Sequence, residues 1–372
     1  MQKEEFLSLQ KALRKHLDYA SALDVSVMTG LPIAPPITAT IAITSRCNSD
    51  CKYCGFRSSL SGNKVDMDAD ILKRVIREMA VIGVKILTLT GGEPLLRKDL
   101  PDLCECAKDA GITVHITTNG LLLTSDIAAK LSECGVSNLV VSLDSLDDSV
   151  YSRHRGVSNE KVVRALSILD EFTRMKAGNH CAVTYVISRL NYRELPSFVS
   201  LIHAISDRIL INIQPYHRPD MPDSPQNGHD AIYEALVSAQ NDLTPGESDR
   251  KALEDMVEKL IALKKEGFPI NNSDIYLKCI PDFLIDYRLP AGACRAGYSG
   301  LCVKENLDVL PCWHLPPVGN LKDISLIDLW FSQRYANVRA KMVQRACPRC
   351  MLLCHNEPGW YGWYNHFYQE TQ

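Results

Sequence analysis

Nowhere does the sequence hold an apolar run long enough to cross a bilayer. Its first twenty residues, MQKEEFLSLQKALRKHLDYA, mix acids, bases and apolar residues, so the uninterrupted stretch of a secretion signal is missing too. A cytoplasmic protein with no membrane partner is expected. A strong charge of either sign is also lacking: 41 Lys and Arg stand against 44 Asp and Glu, a net charge of −3. Without a global basic field, nucleic acid is not an expected partner. There is no internal repeat and no low-complexity tract. Hydrophobic residues at 46% and charged residues at 23% suit an ordinary globular chain, and 372 residues are enough for one large domain or two.

Cysteine is abundant instead, with 14 in the chain. Disulfides are unusual in the cytoplasm, so clustered cysteines there point first to metal. One group, Cys47, Cys51 and Cys54, lies in TSRCNSDCKYCGF (44–56). Five more, Cys104, Cys106, Cys134, Cys181 and Cys279, are scattered through apolar or helical surroundings and read as buried, unreactive thiols. The last group is Cys294, Cys302, Cys312, Cys347, Cys350 and Cys354.

Between residues 38 and 216 apolar runs alternate with helical patterns. Strands are expected at 38–44, 84–90, 113–118, 138–144, 181–187 and 209–214, rich in Val, Ile, Leu and Thr and mostly apolar on both faces. Helices are expected over 68–83, with Asp68 as N-cap and Gly83 at the C-terminal end, and over 125–135 and 159–176. Six β-then-α units in a row give an α/β fold, a partial (β/α)6 TIM-like barrel, with its site at the C-terminal ends of the strands. The expected order is an N-terminal helical extension (1–37), the barrel (38–216), a linker and helix (217–270), and a small irregular α+β domain (271–372). Metal would supply much of the stability of that last domain.

The first cysteine group follows the first strand and so lies at the catalytic end. Three cysteines on one loop can hold three irons of a [4Fe–4S] cluster and leave the fourth open. A zinc loop with a fourth ligand from elsewhere is the alternative. The spacing CxxxCxxC resembles the signature of the radical S-adenosylmethionine (radical SAM) superfamily. That resemblance implies SAM chelated to the open iron, its reductive cleavage to a 5′-deoxyadenosyl radical, and hydrogen abstraction from a substrate. It implies further roles at successive strand ends. Tyr53 would lie against the adenine. TGGEP (90–94) would hold the SAM amino group through Gly91, Gly92, Glu93 and Pro94. TTNG brings Asn119. SLDS brings Ser142 and Asp144 toward the ribose. RHRG offers Arg155 or Arg153 to the SAM carboxylate. Asn191 and QPY (214–216) would close the adenine side.

The run CRAGYSGLCVKENLDVLPCWHLPPVGNLKDISLIDLWFS resembles the auxiliary-cluster domains of radical SAM enzymes, SPASM and its shortened form, twitch. The full SPASM form has seven cysteines and two extra clusters. Six candidates here imply one auxiliary [4Fe–4S] cluster on Cys294, Cys312, Cys347 and Cys350, with Cys302 and Cys354 as possible alternates. Two departures stand out: Leu307 occupies a hairpin position that is often Gly, and Trp313 replaces a proton-accepting Asp of some peptide-oxidising relatives. A zinc ribbon would show two close CxxC pairs, and this group has one.

Substrate-side candidates are His217, Arg218, Asp220 and His314. The expected function is a radical SAM oxidoreductase or epimerase-type enzyme acting on a small molecule, with an electron donor such as flavodoxin or ferredoxin. A ribosomal-peptide maturase is the alternative within the same chemistry. The 37 residues before the first strand are too few for the added peptide-recognition domain that maturases often carry. A metal-stabilised binding protein without catalysis is the alternative of another class, and the GGEP and SLD elements argue against it.

Overall fold

The computed structural model describes residues 8, 10, 12, 13, 16–54, 66–217, 242–288, 294–344 and 351. Helix α1 (Tyr19–Thr29) precedes strand β1 (Thr38–Thr44). There follow α2 (Ala69–Ile82), β2 (Ile86–Gly91), α3 (Leu100–Asp109), β3 (Thr113–Thr118), α4 (Ser125–Glu133) and β4 (Val136–Ser142). Next come α5 (Asp148–Arg155), α6 (Glu160–Met175), β5 (His180–Ile187), α7 (Leu195–Ile205) and β6 (Ile209–Pro215).

The six strands expected from apolar runs are all present, and each pairs in parallel with the next. Local chemistry sets their ends. Asp68 caps α2 by accepting from the Asp70 and Ile71 amides, and Gly83 closes it at φ +104. Val84 N then donates to Met79 O, so this residue completes the helix cap and β2 starts later than its apolar run suggests. At the other end, β4 stops at Ser142 where residue 144 was expected, because the Asp144 side chain turns inward to accept from the Val186 amide.

The C-terminal part continues with α8 (Arg250–Lys265), α9 (Asp274–Asp286), α10 (Ala296–Ser299), β7 (Gly300–Val303), β8 (Asp308–Leu310), β9 (Gly319–Asn320), α11 (Leu326–Trp330) and α12 (Gln333–Val343). Among the described residues these strands and the barrel strands form one nine-stranded sheet, in the order β6-β5-β4-β3-β2-β1-β7-β8-β9. Strand β7 lies parallel to β1, with Thr38 opposite Gly300 and Ile41 opposite Val303. The expected boundary near residue 271 is therefore crossed by the sheet. It is crossed by the core as well: Ile41, Leu89 and Val141 belong to the same buried cluster as Val303, Val309 and Trp330. Leu307 stands at φ +75 in the β7–β8 turn, a left-handed conformation that favours glycine, and its side chain is buried. Among the described residues no helix is long and apolar enough to cross a membrane.

Candidate active site

The loop that carries Cys47, Cys51 and Cys54 leaves the end of β1 and is pinned at its stem. Thr44 Oγ1 donates to Asp66 at 2.6 Å, and Arg46 grips the same carboxylate through Nε and Nη2 at 2.9 and 2.7 Å. From the other side, Gly92 N donates to Thr44 O at 2.8 Å and Glu93 N to Arg46 O at 2.7 Å. This close approach explains the two glycines. A Cβ on Gly91 would stand 2.4 Å from Thr44 O, and one on Gly92 only 2.0 Å from Arg46 O. Gly91 and Gly92 thus let the exit of β2 lie directly against the cysteine loop.

Glu93 is fully buried, and its carboxylate faces inward. It accepts from Thr118 Oγ1 at 2.7 Å, Asn119 N at 2.7 Å and Leu95 N at 3.0 Å, tying the end of β2 to the end of β3. Burial pushes its carboxyl above the usual range in spite of those donors. Asn119, oriented in this way, donates its side-chain amide to Asn48 Oδ1 at 2.7 Å and Ser49 Oγ at 3.1 Å, and reaches Cys47 Sγ at 3.9 Å. The Ser49 amide also points at that sulfur, at 3.4 Å.

A second buried group serves Cys51. Asp144 accepts from Arg155 Nε at 2.7 Å and Nη2 at 3.0 Å, from Tyr53 OH at 2.5 Å and from Val186 N at 3.0 Å. Burial alone would raise its carboxyl, but Arg155 and His154 hold it well below the ordinary value. The His154 ring lies between Asp144, 3.7 Å from Nδ1, and Ser188 Oγ, 2.7 Å from Nε2. The Tyr53 ring meets His154 and Tyr216 edge-on at 6.0 and 6.4 Å. Asn191 is buried and spans the ends of β4 and β5. It donates to Asp144 O and Val186 O at 2.9 Å each and accepts from Ser188 N at 2.8 Å. Burial pushes the Cys51 thiol up to about 12 against the pull of Arg155, and it raises Cys47 as well. Both sulfurs therefore sit where a thiolate needs a metal or a donor to be stable.

The structure thus brings Cys47, Cys51, Tyr53, Glu93, Asn119, Asp144, Arg155 and Asn191 to one end of the sheet. Ser142 lies half-buried at the end of β4. Arg153 is exposed. Asp144 and Arg155 face each other, where the expectation directed them to the ribose and the SAM carboxylate. Sequence reading missed Arg46 and Asp66 as the stem clamp, and His154 and Ser188 as members of the Asp144 group. His154 was visible inside RHRG, flanked by the two arginines that drew attention.

At the junction with the C-terminal part, His217 follows β6 and His314 follows Cys312. Their rings stack at 5.6 Å with an interplanar angle of 29°. His217 Nε2 accepts from Met351 N at 2.9 Å, and the His314 amide donates to Cys312 Sγ at 3.3 Å. Burial holds His217 down to about 3 and His314 to about 4, so both are neutral at pH 7. Cys312 is buried in a small cluster with Ala296 and Met342, and Cys294 packs against it. Cys302 is buried within β7. Arg218, Asp220, Cys347, Cys350 and Cys354 lie outside the described residues. Of the scattered cysteines, Cys104, Cys134 and Cys181 are buried and Cys106 and Cys279 half-buried. Among the described residues no three His, Cys, Asp or Glu side chains converge as a ligand set for a single metal ion. Three soft sulfur donors on one loop, two of them met by N–H groups, fit an iron–sulfur cluster.

The family model described as the radical SAM superfamily matches residues 41–202, and one described as an iron-sulfur cluster-binding domain, SPASM, matches residues 294–352. The chain thus carries a radical SAM domain followed by a SPASM-type domain. It is 26% identical over 310 residues to an AdoMet-dependent heme synthase of Methanosarcina barkeri, a match covering 82% of this chain and 84% of that one. It is 30% identical over 183 residues to a PqqA peptide cyclase of Bradyrhizobium diazoefficiens, covering 49% of this chain and 47% of that one. Among solved structures it resembles Streptococcus suis SuiB, with a TM-score of 0.62, 19% identity and coverage of 86% and 72% of the two chains. The fold is thus that of a radical SAM enzyme, a partial barrel followed by a SPASM-type domain. Its cofactors are SAM and [4Fe–4S] clusters.

Proposed function

We propose that this radical SAM enzyme acts on a small molecule, which it oxidises, epimerises or rearranges. The observation that supports the reading is the cysteine loop itself, clamped at its stem and met by N–H donors at two of its three sulfurs. When bound, cluster and SAM together supply an electron and a 5′-deoxyadenosyl radical that takes a hydrogen atom from the substrate. The residues of this chain bind and orient. Cys47, Cys51 and Cys54 hold the cluster, and the exit of β2 at Gly91, Gly92 and Glu93 walls the SAM pocket. The half-buried Ser142 offers a hydroxyl to the ribose. Tyr53, Asn119, Asp144 and Asn191 fix the walls around it.

In the C-terminal domain, Cys294, Cys312, Cys347 and Cys350 hold an auxiliary cluster of the twitch type, with Cys302 and Cys354 as alternates. His217 and His314, neutral and stacked between the barrel mouth and that domain, are the candidate proton acceptors, with Asp220 nearby in sequence. A flavodoxin or ferredoxin supplies the electron, in the cytoplasm. The broader of the two matches supports the small-molecule reading: the heme synthase alignment covers 84% of that relative, and the peptide cyclase alignment covers 47%. A peptide maturase is the second reading, supported by the cyclase match over the barrel.

The test is anaerobic. Reconstituted protein with dithionite and SAM should release 5′-deoxyadenosine, and Cys51→Ala should abolish that release. Wild-type release from Cys51→Ala, or stoichiometric zinc with no labile sulfide in the wild type, would overturn the reading.

A further inference from the structure

The guanidinium of Arg155 is held along one edge only by carboxylate. Nε and Nη2 grip Asp144, while Nη1 on the outer edge is 4.0 Å from Cys51 Sγ. The pair is deeply buried, with side-chain exposures of 7% for Arg155 and 0% for Asp144. Asp144 is held on both oxygens by Tyr53, Val186 and Arg155 itself. The Arg155 guanidinium also lies 5.5 Å from the Tyr53 ring and 5.8 Å from the Tyr151 ring.

The helix that carries Arg155 ends on the cysteine loop. Arg155 O accepts from Asp50 N at 3.1 Å and His154 O from Lys52 N at 2.9 Å. Gly156, at φ +70, makes the turn that this docking needs, since a Cβ there would meet Asp50 O at 2.9 Å. The carbonyls of Arg155 and His154 thus hold the loop on the two sides of Cys51, and the Arg155 side chain reaches the sulfur between them.

We propose that Arg155 is a positioning residue for the loop cluster, fixing Cys51 with its outer N–H group and raising the cluster's reduction potential. The sign follows from charge. Reduction adds an electron to an already anionic group, so a cationic donor at a ligating sulfur stabilises the reduced form more than the oxidised one. Asn119 has the matching place at Cys47, but as a neutral donor it acts more weakly. This inference rests on the reading of Cys47, Cys51 and Cys54 as cluster ligands.

The test uses full-length, anaerobically reconstituted protein. Iron and labile sulfide are assayed in the wild type first. Absence of sulfide there removes the cluster reading, and this inference with it. With the cluster present, its midpoint potential is followed by EPR in the wild type, in Arg155→Lys, and in the double variant Asp144→Asn with Arg155→Met, which leaves no unpaired buried charge. The double variant should shift to a more negative potential, and Arg155→Lys should fall between. An unchanged potential in the double variant overturns the inference. If the variants do not fold, wild-type protein labelled with 15N-arginine decides. Pulsed EPR of the reduced cluster should show coupling to a guanidinium nitrogen, and its absence overturns the proposal.

Discussion

Tyr53 lies between two of the three loop cysteines, yet its hydroxyl is spent on a carboxylate that belongs to β4. The contact is short, 2.5 Å, and its acceptor is fully buried. Removing the hydroxyl leaves Asp144 with one donor fewer in a place water does not reach, and such a loss costs about 1–3 kcal/mol. Tyr53→Phe should lower stability by that amount in urea denaturation. It should also loosen the loop, seen as faster amide exchange at Asp50 and Lys52, whose amides bond to the end of α5. Unchanged stability would mean that the hydroxyl is solvated and the group around Asp144 is looser than its geometry. Arg339 makes a contrasting case in the C-terminal domain. Its guanidinium is buried among aromatic rings, 4.1 Å from Trp330 and 4.2 Å from Tyr335, with Gly297 O as the hydrogen-bond acceptor of Nε. No carboxylate shares that box among the described ion pairs, and desolvation lowers its pKa to about 10, so the rings stabilise a charge that still survives at pH 7.

The exit of β2 is where a local rule and a long-range contact demand the same residue. Gly91 adopts φ +127, which disfavours any side chain, while Gly92 is fixed by space, 2.0 Å from its would-be Cβ to Arg46 O. Gly92→Ala should therefore push the cysteine loop off the strand end. Overpacking against backbone costs about 1–3 kcal/mol, and here the displaced atoms lead straight to Cys47. The expected outcome is a lower melting temperature together with reduced iron content after reconstitution. Full iron at wild-type stability would show that the loop stem yields. This element also shows what the sequence made legible and what it hid. The strands were readable because apolar runs on both faces leave a parallel sheet as their use, and TGGEP was readable as a strand-end feature. The purpose of its parts was not. Glu93 reads as a ligand-facing carboxylate, and only three dimensions reveal that Thr118, Asn119 and Leu95 use both of its oxygens. Likewise the β1–β7 pairing joins residues about 260 apart, a separation that no local pattern encodes. Leu307 did carry a local signal, a leucine where glycine is usual in the resembling hairpins. The chain accepts the left-handed turn there because the leucine side chain is buried in the shared core.

At the scale of the molecule, one sheet and one core join the barrel to the domain that follows, and the stacked His217–His314 pair lies on that junction. Neutral imidazoles suit such a place, because burial disfavours a charged ring. The consequence is a pH dependence. His217 is held down to about 3 in the fold, principally by burial and then by His314, whereas an unfolded histidine titrates near 6.5. At pH 7 both states are mostly neutral and the group costs little. Between 6.5 and about 3 the unfolded chain takes up a proton that the fold refuses, so stability falls as pH falls, and between pH 7 and 5 the loss from His217 is about 1–2 kcal/mol. His314 and His115, both held down to about 4 mainly by burial, act in the same sense. Glu93, raised by burial, acts in the opposite one. Comparison with His217→Gln at each pH cancels these other groups. Urea denaturation of the two proteins at pH 7 and pH 5 should show the wild type losing more stability than the variant, the difference being the share that belongs to His217. An equal loss in both would mean that His217 is protonated without penalty. The ring would then be open to solvent, and the two halves of the molecule would meet less tightly than the stacked pair requires.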